Sequence, residues 1–121
     1  MPDRKRVEAF VAQVVAGDFV GAIESHYGPA ATMQENGAPP RAGRDTLIAH
    51  ERKVMAAFRD VKASLAGPIL IAGDQVAIRW RFEMVPAKGA SRVLDEIAWQ
   101  TWRDGKIVTE TFFYDPAQTA G

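Results

Sequence analysis

Near residue 61 the hydrophobic pattern of this chain changes its period, and that change constrains the fold more than any other feature. Before it, apolar residues recur three and four apart. After it, they alternate. Val7, Phe10, Val11 and Val14 stripe a first helix over about 4–16, with Asp3 as its N-cap and Gly17 as its stop. Asp18 caps a short second helix that buries Phe19, Ala22 and Ile23 and ends at Gly28-Pro29. Residues 31–35 read as a strand, 36–40 as a turn-rich loop, and Asp45 starts the third helix. Strands over 62–65, 69–72, 75–84, 92–102 and 107–114 follow, separated by Gly67-Pro68, Gly73-Asp74, Lys88-Gly89 and Asp104-Gly105. Helices first and an antiparallel meander afterwards predict one α+β domain over 1–121, with the helices covering a concave sheet face.

The third helix carries a chemical signal. Leu47, Ile48, Val54, Met55 and Phe58 form an apolar stripe over 44–58, and Glu51 lies on it. A carboxylate there must be paired, protonated or facing a cavity, because burying a lone charge is costly. Glu35 ends the strand just upstream, and Glu96 and Glu110 fall within later strands. Acids set among aromatic residues predict a small-molecule pocket with acid–base capability. Glu35 beside an apolar cavity is expected to have a raised pKa and to act as a general base. Glu51 either binds a ligand or pairs with an arginine or a tyrosine hydroxyl. Where two such acids share a pocket, one is expected to be neutral and able to donate a hydrogen bond.

Strand parity assigns the remaining candidates. On strand 93–102 the even set is Leu94, Glu96, Ala98, Gln100 and Trp102, and the odd set is Val93, Asp95, Ile97, Trp99 and Thr101. Both sets are largely apolar, so each is expected to meet something. One set is expected to face the helices and pocket, and the other a second copy of the chain in a homodimer. Glu110, Phe112 and Tyr114 sit opposite Ile107 and Phe113 on the last strand. Tyr27 and Tyr114 either offer phenolic donors or simply pack. Trp80 and Phe82 read as wall or core, which turns Arg79 and Arg81 outward.

Composition narrows the function class. Fifteen basic and fifteen acidic residues cancel, which argues against a general nucleic-acid binder. The Arg4-Lys5-Arg6 cluster reads as solvated helix surface. Without cysteine there is no disulfide and no thiolate chemistry. His26 and His50 are 24 apart and match no local metal spacing, so no metal is expected. No apolar run approaches ~20 residues, and the N-terminus has no signal-like apolar core, so no membrane association and a cytoplasmic setting are expected.

Several local strings, in order, resemble the ketosteroid isomerase and SnoaL-like polyketide cyclase branch of the nuclear transport factor 2-like superfamily. They are Ala16-Gly17-Asp18, Ala30-Ala31-Thr32, Pro40-Arg41-Ala42-Gly43, Arg81-Phe82-Glu83-Met84-Val85, Val93-Leu94-Asp95 and Gly105-Lys106-Ile107. The resemblance covers nearly the whole chain. It implies a cone-shaped curved antiparallel sheet wrapped around three N-terminal helices, a cystatin-like α+β barrel with a deep pocket. It places Glu35 where the isomerases keep a base, and Tyr27 and Glu51 where they carry pocket tyrosines. Trp80, Phe82, Leu94, Glu96, Gln100, Glu110, Phe112 and Tyr114 fall at wall positions. Phe10 and Ala98 stand where the two oxyanion donors would be, so steroid isomerase activity itself is not expected. Neither histidine falls on the C-terminal strands, where the cyclases' catalytic histidine and aspartate would match.

The sequence thus predicts a cofactor-free isomerase or cyclase acting on an apolar carbonyl compound. Its catalytic candidates are Glu35, Tyr27, Glu51 and Glu110. The alternative is a noncatalytic small-molecule binder or dimeric scaffold of the same fold.

Overall fold

A computed structural model describes residues 2–119. The helices are α1 (Arg4–Val15), α2 (Phe19–His26) and α3 (Arg44–Ala57). The strands are β1 (Tyr27–Glu35), β2 (Arg41–Ala42), β3 (Phe58–Leu65), β4 (Leu70–Ala72), β5 (Gln75–Pro86), β6 (Arg92–Arg103) and β7 (Lys106–Phe113). A 3₁₀ turn over Pro116–Thr119 follows. None of the described helices is long and apolar enough to cross a membrane.

Local chemistry sets the helix ends. The Asp3 carboxylate accepts from the Lys5 backbone N–H, and Asp18 accepts from that of Gly21, each satisfying an orphan donor of a first turn. Gly17, at φ +90°, makes the reversal between α1 and α2 that a Cβ would strain. Two boundaries differ from the sequence reading. Tyr27 is already extended, so β1 starts there rather than at Ala31, with Gly28 lying close to the Ile107 carbonyl. Phe58 is also extended, and it opens β3 instead of closing α3.

The strands form one curved, open sheet in the order β2-β1-β7-β6-β5-β3, with β4 also paired to β5. Its pairings are antiparallel except β1 with β7, which is parallel, so the sheet is mixed. Asp104 and Gly105, both at positive φ, turn β6 into β7. Parity holds along β6, where Glu96, Ala98, Gln100 and Trp102 are buried while Val93, Ile97 and Trp99 are exposed. It breaks once on β7. Trp102 pairs Ile107 and Thr101 pairs Thr109, which leaves Val108 unopposed. This bulge turns Ile107 and Glu110 to the same buried side, although simple alternation separates them.

The core lies between the helices and the concave face. Val7, Phe10, Val11 and Val14 of α1 and Ile23 of α2 meet Val76, Ile78, Trp80, Trp102 and Ile107 of the sheet. Each fully buried aliphatic side chain there contributes about 1.5–3 kcal/mol relative to exposure. On α3 only Leu47 is fully buried. Ile48, Val54 and Met55 are half-buried because that stripe does not seat on the sheet over its whole length. The gap it leaves is the site.

Candidate active site

A cavity of about 390 Å³ separates α3 from the concave sheet. Its wall brings together Tyr27, Glu35, Glu51, Trp80, Phe82, Leu94, Glu96, Glu110, Phe112 and Tyr114. Sheet register explains the grouping. Glu96 pairs with Trp80, Leu94 with Phe82, Gln100 with Glu110, and Phe112 with Glu35 of β1. Gln100 is the exception among the expected wall residues. It is fully buried behind Glu110 and does not line the cavity.

The four carboxyl groups differ sharply in environment. Glu35 sits on the partly exposed rim. Arg41 Nη1 donates to its Oε2 at 2.9 Å, and the Tyr114 hydroxyl donates to its Oε1 at 3.1 Å. Burial pushes the Glu35 carboxyl up, but the Arg41 hydrogen bond and charge and the Tyr114 hydroxyl outweigh it. The net shift is below the usual glutamate value. The expectation of a raised pKa at Glu35 is therefore corrected, and the cause is the ion pair with Arg41.

The other three acids shift the opposite way. Glu96 is 7% exposed. Burial, reinforced by the charges of Glu110, Glu35 and Glu51, pushes it up to about 8. Glu110 is pushed up to about 7 by burial, against hydrogen bonds from Gln100 and Tyr27. Glu51 is raised by burial, with Arg41 opposing and Glu35 adding. Among the described residues no hydrogen bond holds the side chains of Glu51 or Glu96, so both are free to meet a ligand.

Behind the wall, polar groups form a chain. Trp102 Nε1 donates to Gln100 Oε1 at 2.9 Å, and Gln100 Nε2 donates to Glu110 Oε2 at 2.6 Å. The Tyr27 hydroxyl donates to Glu110 Oε1. Burial, with the Glu110 charge and hydrogen bond, holds the Tyr27 phenol well above its usual range. Phe10 reaches the cavity and stacks edge-on against Tyr27, His26 and Trp102. It offers no hydrogen-bond donor, and Ala98 lies buried off the wall. Donor chemistry in this cavity resides instead on Tyr27, Tyr114 and the raised glutamates.

The sequence reading missed Arg41, His50, Arg92 and Met33 on the wall. Two signals for them exist. Arg41 follows Glu35 across one turn-rich loop, and His50 precedes Val54 by one helical turn on the cavity side. Burial and the Arg41 charge lower the His50 pKa. His26 bonds Gln13 away from the cavity, and burial, Lys106 and Arg6 lower its pKa. Arg79 and Arg81 point outward, to Asp95 at 2.7 Å and Glu83 at 3.5 Å. Among the described residues no cluster of three or more histidines and acids is arranged to hold a metal ion.

Comparison with known proteins places this fold. The structure superposes on a Mesorhizobium loti protein described as a SnoaL-like polyketide cyclase, with TM-score 0.79 and 25% identity, covering 94% of this chain and 100% of that one. TerC, co-crystallised with polyporic acid, gives TM-score 0.79 at 17% identity, covering 97% and 94%. A Catenulispora acidiphila protein of ketosteroid isomerase-like fold, in complex with trimethylamine, gives 0.78 at 16%, covering 93% and 87%. No curated protein matches the chain in sequence. The family model of the SnoaL-like domain matches residues 7–110. The chain belongs to the SnoaL-like domain family.

Proposed function

We propose that this protein is a cofactor-free enzyme of isomerase or cyclase type that moves a proton next to the carbonyl of an apolar substrate. One observation carries the reading. Glu35 and Glu96 face the same cavity with their ionisation pushed in opposite directions, down at Glu35 and up to about 8 at Glu96. A site that holds one carboxylate ionised and another carboxyl neutral at pH 7 has a base and an acid in place. Glu35 takes the C–H proton, and neutral Glu96 donates a hydrogen bond to the oxygen on which the enolate charge grows. Trp80, Phe82 and Phe112 supply the apolar surface that holds the substrate body. The co-crystallisation of TerC with polyporic acid supports a small organic ligand for this fold.

The second reading is a noncatalytic small-molecule binder. The Arg41 ion pair favours it, because it occupies Oε2 of the proposed base. Deuterium exchange at the α-carbon of 2-tetralone, followed by NMR in D₂O, separates the two. The enzyme reading expects exchange above the buffer rate, lost by roughly 10²–10⁴-fold in Glu35→Gln. Binding without accelerated exchange would favour the binder. The proposal includes a homodimer through the outer sheet face, supported by Ile97, Trp99 and Phe113 at 43, 48 and 50% exposure on neighbouring strands.

A further inference from the structure

We propose that Glu110 gates Tyr27: with a proton on Glu110 Oε1, Tyr27 turns its hydroxyl hydrogen into the cavity as a donor to a ligand's carbonyl or enolate oxygen, and with Glu110 ionised it withdraws it. The inference rests on the proposed carbonyl ligand and adds a second, switchable donor. It starts from an indole. Trp102 Nε1–H can only donate, so the Gln100 atom facing it is the carbonyl oxygen. That fixes the amide, and its NH₂ must then point at Glu110 Oε2. Oε2 is therefore held as an acceptor, and a proton on Glu110 has one place to go, the oxygen that faces Tyr27.

Two arrangements of that contact follow. When Glu110 is ionised, the phenol donates to Oε1 and its single hydrogen is spent. When Oε1 carries the proton, the carboxyl donates to the phenol oxygen and the phenol hydrogen is released. Glu110 is the one hydrogen-bond partner of the Tyr27 hydroxyl among the described residues, and Tyr27 lines the cavity, so the released hydrogen has the ligand space to turn to. Gln100 and Trp102 act through Glu110 and are positioning residues.

The groups facing Glu110 come from three other elements. They are Tyr27 on β1, Glu51 on α3, and Glu96 with Gln100 on β6. Burial of Glu110, opposed by Gln100 and Tyr27, places its titration at about 7, where the gate changes state near neutral pH.

The chain has two tyrosines, so ¹³Cζ-tyrosine labelling gives two signals, and Tyr114→Phe assigns them. In a Glu96→Gln background, which removes the other strongly raised glutamate of the cavity, the Tyr27 signal is followed from about pH 5 to about pH 9. It is expected to step once. Adding Glu110→Gln, whose NH₂ copies the protonated Oε1, should hold the signal at its acid position throughout. Adding Gln100→Met, which removes a donor to the ionised form, should move the midpoint upward. Acetophenone affinity should fall by about 2- to 10-fold over the same step and stay at its acid value with Glu110→Gln. A Glu110→Gln signal at the alkaline position, or acetophenone affinity that ignores the Tyr27 step, would overturn the gate. Neither readout requires turnover, so absent α-exchange would reject the enzyme reading while leaving the gate standing.

Discussion

Arg41 and Glu35 meet on the rim of the cavity, Nη1 to Oε2 at 2.9 Å, across the loop that joins β1 to β2. This contact decides the ionisation of the proposed base. It also exposes a compromise. A base held below its usual pKa is always ionised near neutral pH, but it takes up a proton less readily.

Removing the guanidinium tests that compromise. Arg41→Met should raise the Glu35 titration midpoint, because burial then acts with less opposition. Glu35 is depressed in the folded state, so its contribution is present above the unfolded value of 4.5 and is lost as pH falls through the folded value. Arg41→Met should therefore flatten the acid limb of thermal unfolding. An unchanged acid limb and an unchanged Glu35 midpoint would show that the ion pair has no effect in solution.

Glu96 and Glu110 predict the opposite slope on the alkaline side. Their folded pKa values, about 8 and about 7, lie above the ordinary glutamate value of 4.5. Between those values the folded state binds more protons than the unfolded state, so stability falls as pH rises and the loss is complete above the folded values. The loss is on the order of several kcal/mol for the pair. Urea denaturation should show a more stable protein at about pH 5 than at about pH 9. Glu96→Gln combined with Glu110→Gln should remove most of the difference. A wild type equally stable at both would mean the two acids ionise freely.

The outer face of the sheet predicts assembly. Ile97 pairs with Phe113 across β6 and β7, and Trp99 stands two residues further along β6. Trp99 Nε1 also donates to Gln75 Oε1 at 2.7 Å, which holds the ring against its neighbour strand. An aromatic at the centre of such a patch is the residue type that dominates interface energies. Light scattering at micromolar protein should give twice the monomer mass, and Trp99→Glu should shift it toward monomer. A wild type that stays monomeric at high concentration would contradict the dimer.

Much of this molecule was legible in sequence because hydrophobic period and burial follow the same rule. The α1 stripe, the Asp3 and Asp18 caps, the Asp104-Gly105 turn and the even face of β6 are local statements, and local chemistry decides them. What escaped was non-local. The parallel pairing of β1 with β7 joins segments about 80 residues apart and leaves no local signature. The Val108 bulge turns Ile107 and Glu110 to one side, which strict alternation cannot show. In the cavity, Glu51 was visible as an acid on an apolar stripe. The ionisation of Glu35 was not, because it depends on where Arg41 lands after a turn.

The proposed chemistry rests on one cavity that holds both an ionised and a neutral carboxyl. Carboxyl ¹³C NMR of glutamate-labelled protein, with Glu35→Gln and Glu96→Gln to assign the signals, measures it without any substrate. Glu35 is expected to titrate below an ordinary glutamate and Glu96 at about 8, so that at pH 7 the first is charged and the second is not. A Glu96 signal fully ionised at pH 7, or a Glu35 midpoint above that of Glu96, would contradict it.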